Sequence, residues 1–369
     1  MPMDKQLRDI LFQLLRIGLW GKGNLSVLRP LTSEDWSQIF FYASKHTVEG
    51  IIYDSFNYLK DDQLPPQSLR LKWAVRIDQI ERNNEHMNIV LTSQYNEFST
   101  QDIHPILMKG QGVAYFYNNP KHRICGDIDW YFENNTYAKA RSFLKEKGLN
   151  LNDKSGFSLD YYLDDVSIEH HKDLFDISSP LKSRYLRKLQ TNFCDKQQTI
   201  YINGFPIKIL APELQLLQVN AHILKHLIFF GVGLRQLCDS ACLYAQTISD
   251  IDPVILKTIY KRSGILNWVH LLHILLVKYL GLPESSLPFP LLEGKDADWM
   301  LEEIWHGGNF GYYDDRHSGG KVIAGISSHP NGLKRLWNNL LRYLPYAPQE
   351  ALFMQGTYLY SRWFGIDKD

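Results

Sequence analysis

The chain has 369 residues, with 40 basic side chains against 40 acidic ones and 44% apolar residues. At ~100–200 residues per domain this implies two or three domains sharing a sizeable core. With 22% charged and 13% aromatic residues it is not a disordered or collagen-like chain, and zero formal net charge argues against a broad basic surface for nucleic acid or anionic membrane.

Along the chain, residues 1 to about 100 read as helices. Met1–Gly23 carries charges at Asp4, Lys5, Arg8 and Asp9 among apolar residues at helical spacing and has no small-residue cleavage site. It therefore reads as an amphipathic helix and not a signal peptide. Thr32 stands as a hydroxyl cap before Glu34 and Asp35, with Trp36, Ile39, Phe40, Ala43 and His46 following at three- and four-residue steps. Pro65-Pro66 marks a break, and Gln67–Ser99 reads as one long helix. This region groups no titratable residues and is expected to be a scaffold or lid.

Near residue 100 the pattern changes. His104–Met108 reads as a buried strand ending in a loop at Lys109-Gly110, with a short helix over Val113–Tyr117 stopped by Asn118-Asn119-Pro120. Ile124–Phe132 reads as a strand, Tyr137–Lys147 as a helix closed by Gly148, and Leu159–Leu163 with Val166–His170 as a hairpin around Asp164-Asp165. From Ala211 helical periodicity returns over Pro212–Phe230, Gly233–Ile248, Asp252–Ser263, Asn267–Leu280 and a tail from Leu333. Residues 306–326, rich in Gly, Asp, His and Tyr, read as a long loop. No apolar run reaches the ~20 residues a spanning helix needs. Cys125, Cys194, Cys238 and Cys242 form no CxxC pair, which suits reduced thiols in a cytoplasmic protein.

The chemistry concentrates in Gly126-Asp127-Ile128-Asp129. On a strand, residues i and i+2 share a face, so two carboxylates stand side by side, repel one another, and suit an oxygen-preferring ion such as Mg²⁺ or Mn²⁺. A third carboxylate is expected from a neighbouring strand, and Glu169 in the following hairpin is placed to deliver it. Upstream, Lys109-Gly110-Gln111-Gly112 offers slim backbone and a cation to phosphates, and Arg123 offers a bidentate donor. His222 and His226, one helical turn apart, lack the glutamate of HExxH and a third ligand, so packing or substrate contact is expected in preference to zinc. Arg235 and Asp239 read as a helix-surface or inter-helix ion pair.

Taken together, Ile106–Gly110, Arg123, Gly126-Asp127-Ile128-Asp129 and Ile168-Glu169-His170-His171 resemble the signature of the uncharacterised nucleotidyltransferase family within the DNA polymerase beta-like superfamily. Leu214–His226, Gly233-Leu234-Arg235 and Asp239 are similar to the helical segment after that family's core, and Gly308-Asn309-Phe310-Gly311 is similar to a late motif. The usual Gly-Gly or Gly-Ser turn is Lys109-Gly110 with Gln111 here, and the aromatic that follows the family histidine is Lys172.

The resemblance implies an α+β fold: a small mixed-sheet nucleotidyltransferase core at 101–210 between an N-terminal helical region (1–100) and a C-terminal helical domain (211–369). It implies metal-dependent transfer of a nucleoside monophosphate from an NTP to an unidentified hydroxyl acceptor, which could be a small molecule, a protein or an RNA end. Asp127, Asp129 and Glu169 would hold Mg²⁺ or Mn²⁺, with Glu169 also helping to deprotonate the acceptor. Lys109, Gly110, Gln111 and Arg123 would bind the nucleotide, and His171, His222, His226, Arg235 and Asp239 would contact substrate or support the site. A catalytically inactive nucleotide-binding or protein-interaction module on the same fold is the alternative.

Overall fold

A computed structural model describes residues 3–23, 30–133, 136–154, 158–314, 316, 322–323, 326–327 and 332–363. Helix α1 (Lys5–Trp20) starts where the Asp4 carboxylate accepts from the Leu7 amide at 2.8 Å. On α2 (Ser33–Lys45), Thr32 and Asp35 close a reciprocal capping box, as the sequence pattern anticipates. After α3 (Glu49–Asp54) comes α4 (Gln67–Thr100), 34 residues and about 50 Å long at 1.5 Å per residue.

Short strand β1 (Ile106–Leu107) runs directly into α5 (Lys109–Ala114), and β2 (Asp127–Tyr131) follows. Next come α6 (Thr136–Glu146), β3 (Asn152–Lys154), β4 (Ser158–Leu163) and β5 (Val166–His171). Helix α7 (Ser183–Asn192) then leads to a hairpin of β6 (Gln198–Ile202) and β7 (Phe205–Ile209). Together these strands form one mixed sheet in the order β3-β4-β5-β2-β1-β7-β6. β2 lies parallel to β5 and β1 parallel to β7, the other pairs being antiparallel.

Helices α8 (Pro212–Phe229), α9 (Leu234–Thr247), α10 (Pro253–Ser263) and α11 (Leu266–Leu280) follow the expected spans closely. Then come α12 (Asp298–Gly307), the two-residue strands β8 (Val322–Ile323) and β9 (Ile326–Ser327), α13 (Gly332–Tyr343) and α14 (Pro348–Trp363). The expected 306–326 loop lies partly outside the described residues; its described start leaves α12 at Gly308 and makes a tight turn over Asn309–Gly311. Two further expectations shift. The helix expected over Val113–Tyr117 is assigned to Lys109–Ala114, with the backbone kinked at Gly110. The strand expected from Ile124 starts at Asp127.

The period of two in β2 and β5 decides what each sheet face does. Ile128, Trp130, Ile168 and His170 face the core, packing with Met87, Leu91 and Phe98 of α4. Trp130 Nε1 donates to Gln94 Oε1 at 2.7 Å, and Tyr161 bonds both Gln94 and His170, so this buried polar chain ties α4 to the sheet. Burial pushes the His170 imidazole down to about 3, which keeps it neutral. The alternate residues, Asp127, Asp129, Glu169 and His171, are left for the opposite face.

A second core runs through the helices, joining Leu7 and Leu11 of α1, Trp36 of α2, Leu272 and Leu276 of α11 and Ile304 of α12. Trp20 Nε1 donates to Leu280 O at 2.6 Å and Arg16 caps the last carbonyls of α11, so α1 is fastened to the end of α11. Among the described residues no helix is long and apolar enough to cross a membrane.

Candidate active site

The open face of β2 and β5 forms one wall of a cleft of about 430 Å³. Asp129 and Glu169 are direct partners in the parallel ladder, and Asp127 pairs with Ser167 one step along the same face. Oxygens of Asp129 and Glu169 and a ring nitrogen of His171 all lie within 4.8 Å of one another. The third acid expected from a neighbouring strand is therefore beside Asp129. His171 Nε2 donates to Asp129 Oδ1 at 2.6 Å, which fixes the orientation of that carboxylate.

Lys109 closes the floor, its Nζ 3.4 Å from Asp129 Oδ1. Gly110, at φ 43° and ψ −124°, turns the backbone across β2. A Cβ there would sit 3.1 Å from the Asp127 carbonyl oxygen, so glycine is needed both for the conformation and for the close approach. Met108 N donates to Asp129 O at 3.0 Å and pins the turn to the strand.

The electrostatics are unbalanced. Repulsion by Asp129, then burial, holds the Asp127 carboxyl above its ordinary range. Asp129 itself is held well below that range: burial opposes ionisation, but Lys109 and the His171 hydrogen bond overcome it. Burial would favour a neutral Lys109, yet Asp129, Asp176, Glu169 and Asp127 together keep it firmly protonated.

The wall facing the acids comes from α8, α9 and the Asn309-Phe310 turn. His222 Nδ1 donates to Asp176 Oδ2 at 2.7 Å and Lys225 Nζ donates to its other oxygen at 2.7 Å. Burial, then Lys109, lowers the His222 pKa to about 4, so the ring is neutral and its Nε2 is left as an acceptor. His226 stacks obliquely on His222, with ring centroids 4.2 Å apart. Among the described residues neither histidine belongs to a group of three metal-ligating side chains.

Two expectations about cations and one about Gln111 need revision in their geometry. Arg123 lines the cleft, but its guanidinium is committed: Nε and Nη2 donate to Asp239 at 3.0 and 2.8 Å, and Nη1 donates to Ile124 O at 3.2 Å. The pair of Arg235 and Asp239, expected on a helix surface or between helices, lies within α9 and is buried and loose, at 3.5 Å, because Asp239 has Arg123 and Tyr117 as its main partners. Arg235 instead lies along the cleft and donates from Nε to Thr47 Oγ1 at 3.1 Å. The Gln111 side chain turns away from the cleft and puts its amide against Met87 Sδ at 3.4 Å.

With this geometry in view, comparison with known proteins decides the family. The family model described as "Uncharacterised nucleotidyltransferase" matches residues 32–281. The chain belongs to that family. The match begins at the cap of α2 and ends just after α11, so it takes in most of the N-terminal helices and stops short of Gly308–Gly311. No curated protein matches the sequence. Among solved structures, the chain is similar to an antigenic nucleotidyltransferase-like protein from Paracoccidioides brasiliensis, with 15% identity and a TM-score of 0.31, over 42% of this chain and 74% of that one.

Two residues that line this cleft, Thr47 and Asn309, and one behind it, Asp176, are not assigned to the site in the sequence reading. Asp176 sits in the irregular segment after β5, and its partners His222 and Lys225 come from α8, 46 and 49 residues on. Thr47 arrives from the N-terminal helices that the sequence offers only as scaffold. Asn309 would have required reading Gly308–Gly311 as part of the cleft. Short-range spacing carries none of these juxtapositions.

Proposed function

We propose that the chain transfers a nucleoside monophosphate from an NTP to a hydroxyl acceptor, with Mg²⁺ or Mn²⁺ held by Asp127, Asp129 and Glu169. The observation that carries this reading is an excess of negative charge on one sheet face. Three carboxylates converge there, one of them resists ionisation because of another, and Lys109 is the cation among them. That donor set fits a hard divalent ion, which prefers carboxylate oxygen.

When bound, such an ion supplies neutralisation of phosphate charge and acidification of a coordinated hydroxyl. The chain's own residues do the rest. Lys109 stays protonated and meets the phosphate oxygens, while the Gly110 turn lets the triphosphate approach the backbone. Arg235 takes the role expected of Arg123, because its guanidinium has fewer commitments. His171 keeps the Asp129 carboxylate turned toward the ions. Glu169, with 28% of its side chain exposed, accepts the proton from the acceptor hydroxyl. The acceptor oxygen then attacks the α-phosphorus and pyrophosphate leaves.

The test is incubation of the protein with α-phosphate-labelled NTPs, Mg²⁺ and cell extract. Label should pass to an acceptor, and Asp129→Asn and Glu169→Gln should each abolish transfer. NTP binding with no transfer to any fraction would replace this reading with a binding-only module.

A further inference from the structure

The cleft ends in an aromatic corner that the transfer chemistry leaves unused. Phe310 is 38% exposed and sits at φ 52° and ψ 17°, a left-handed conformation that a bulky residue adopts only under constraint. The constraint is visible. A Cβ on Gly311 would lie 2.0 Å from Phe230 O, and one on Gly231 would lie 2.7 Å from Gly311 N. The turn is thus locked against the end of α8. Arg335, 2% exposed, lies against Gly231, Gly307 and Gly311 and donates to Asp314 at 3.2 Å.

This scaffold holds the Phe310 ring edge-on to His226, with centroids 5.3 Å apart. Burial, then His222, pushes the His226 imidazole well down, so the ring is neutral. Asn309 lines the same cavity, and its Oδ1 has no hydrogen-bond partner. One end of the cleft therefore offers acids and cations, while the other offers aromatic rings. A nucleotide is a ligand with both halves.

We propose that Phe310, backed by His226, is the stacking platform for the base of the NTP. This inference rests on the nucleotidyl-transfer reading and names the part of the substrate that the second wall holds. Stacking on an aromatic side chain tolerates every base, so the platform sets affinity more than sequence.

Titration calorimetry on the full chain with ATP and with inorganic tripolyphosphate, both with Mg²⁺, tests it. Phe310→Asn removes the ring while keeping a residue that accepts the left-handed turn. ATP affinity should fall roughly tenfold and tripolyphosphate affinity should stay the same. Phe310→Trp should retain ATP binding. Undiminished ATP binding by Phe310→Asn, or equal weakening of both ligands, would overturn the platform while leaving the transfer reading intact. A wild-type chain that binds neither ligand would overturn both.

Discussion

Two charge clusters share one cleft and differ in how they are balanced. Around Asp239, every charge is met: Arg123 grips both oxygens, Tyr117 adds a hydrogen bond at 2.7 Å, and all three side chains are buried. On β2 and β5, three carboxylates share Lys109, and Asp127 is pushed toward its neutral form. The first cluster holds α9 to the segment before β2. The second holds repulsion that a ligand of opposite charge would relieve. Compensation separates a structural ion pair from a binding site better than the presence of charge does.

The sharpest way to break this comparison is Asp127→Asn. If the acidic face is kept for function at a cost in stability, transfer should drop by ~10³-fold or more, the scale of several kcal/mol of charge stabilisation. The thermal midpoint should rise, because a repelling partner is gone. A fall in the midpoint with transfer retained would mean that the acids hold the sheet together.

Asp239→Ala should do the reverse. It strands a buried guanidinium, for which the expected loss is about 3–5 kcal/mol of folding stability by denaturant titration. Activity per folded molecule should change far less than in Asp127→Asn. A stable Asp239→Ala protein with abolished transfer would move Arg123 and Asp239 from scaffold to substrate binding.

The difference in legibility has the same root. Asp127 and Asp129 were readable because a strand has a fixed period, and Glu169 because a hairpin had to bring it back alongside. Arg123 was open to misreading as a phosphate donor, since its partner lies 116 residues away on α9 and no local spacing announces it. The β6–β7 hairpin lies outside the expected elements although Asn203-Gly204, both at positive φ, is a turn signal of short range. Helix α7 also lies outside them, its polar surface leaving Leu186 and Leu189 as the buried residues. Periodic elements and their shared faces follow from the chain alone. The pairing of distant charges follows only from packing.

The smallest expected effect lies on the balanced side, next to Arg123. His122 Nδ1 is 2.7 Å from Asp54 Oδ1 and Nε2 is 2.9 Å from Glu81 Oε1, so both ring nitrogens donate when the ring is charged. Burial opposes that charge, but the two carboxylates prevail and raise the pKa above the ordinary 6.5. Below 6.5 the ring is protonated in folded and unfolded chains alike, and its stabilisation is fully present. As pH rises past 6.5 the unfolded chain loses the proton first; the contribution then declines until the folded pKa is passed. Stability measured across that window should therefore fall in the wild type by an increment that His122→Gln lacks. Transfer per folded molecule should ignore the step, because this seam between α3 and α4 anchors the scaffold. A transfer rate that follows the His122 titration would show that the balanced charges also govern the cleft.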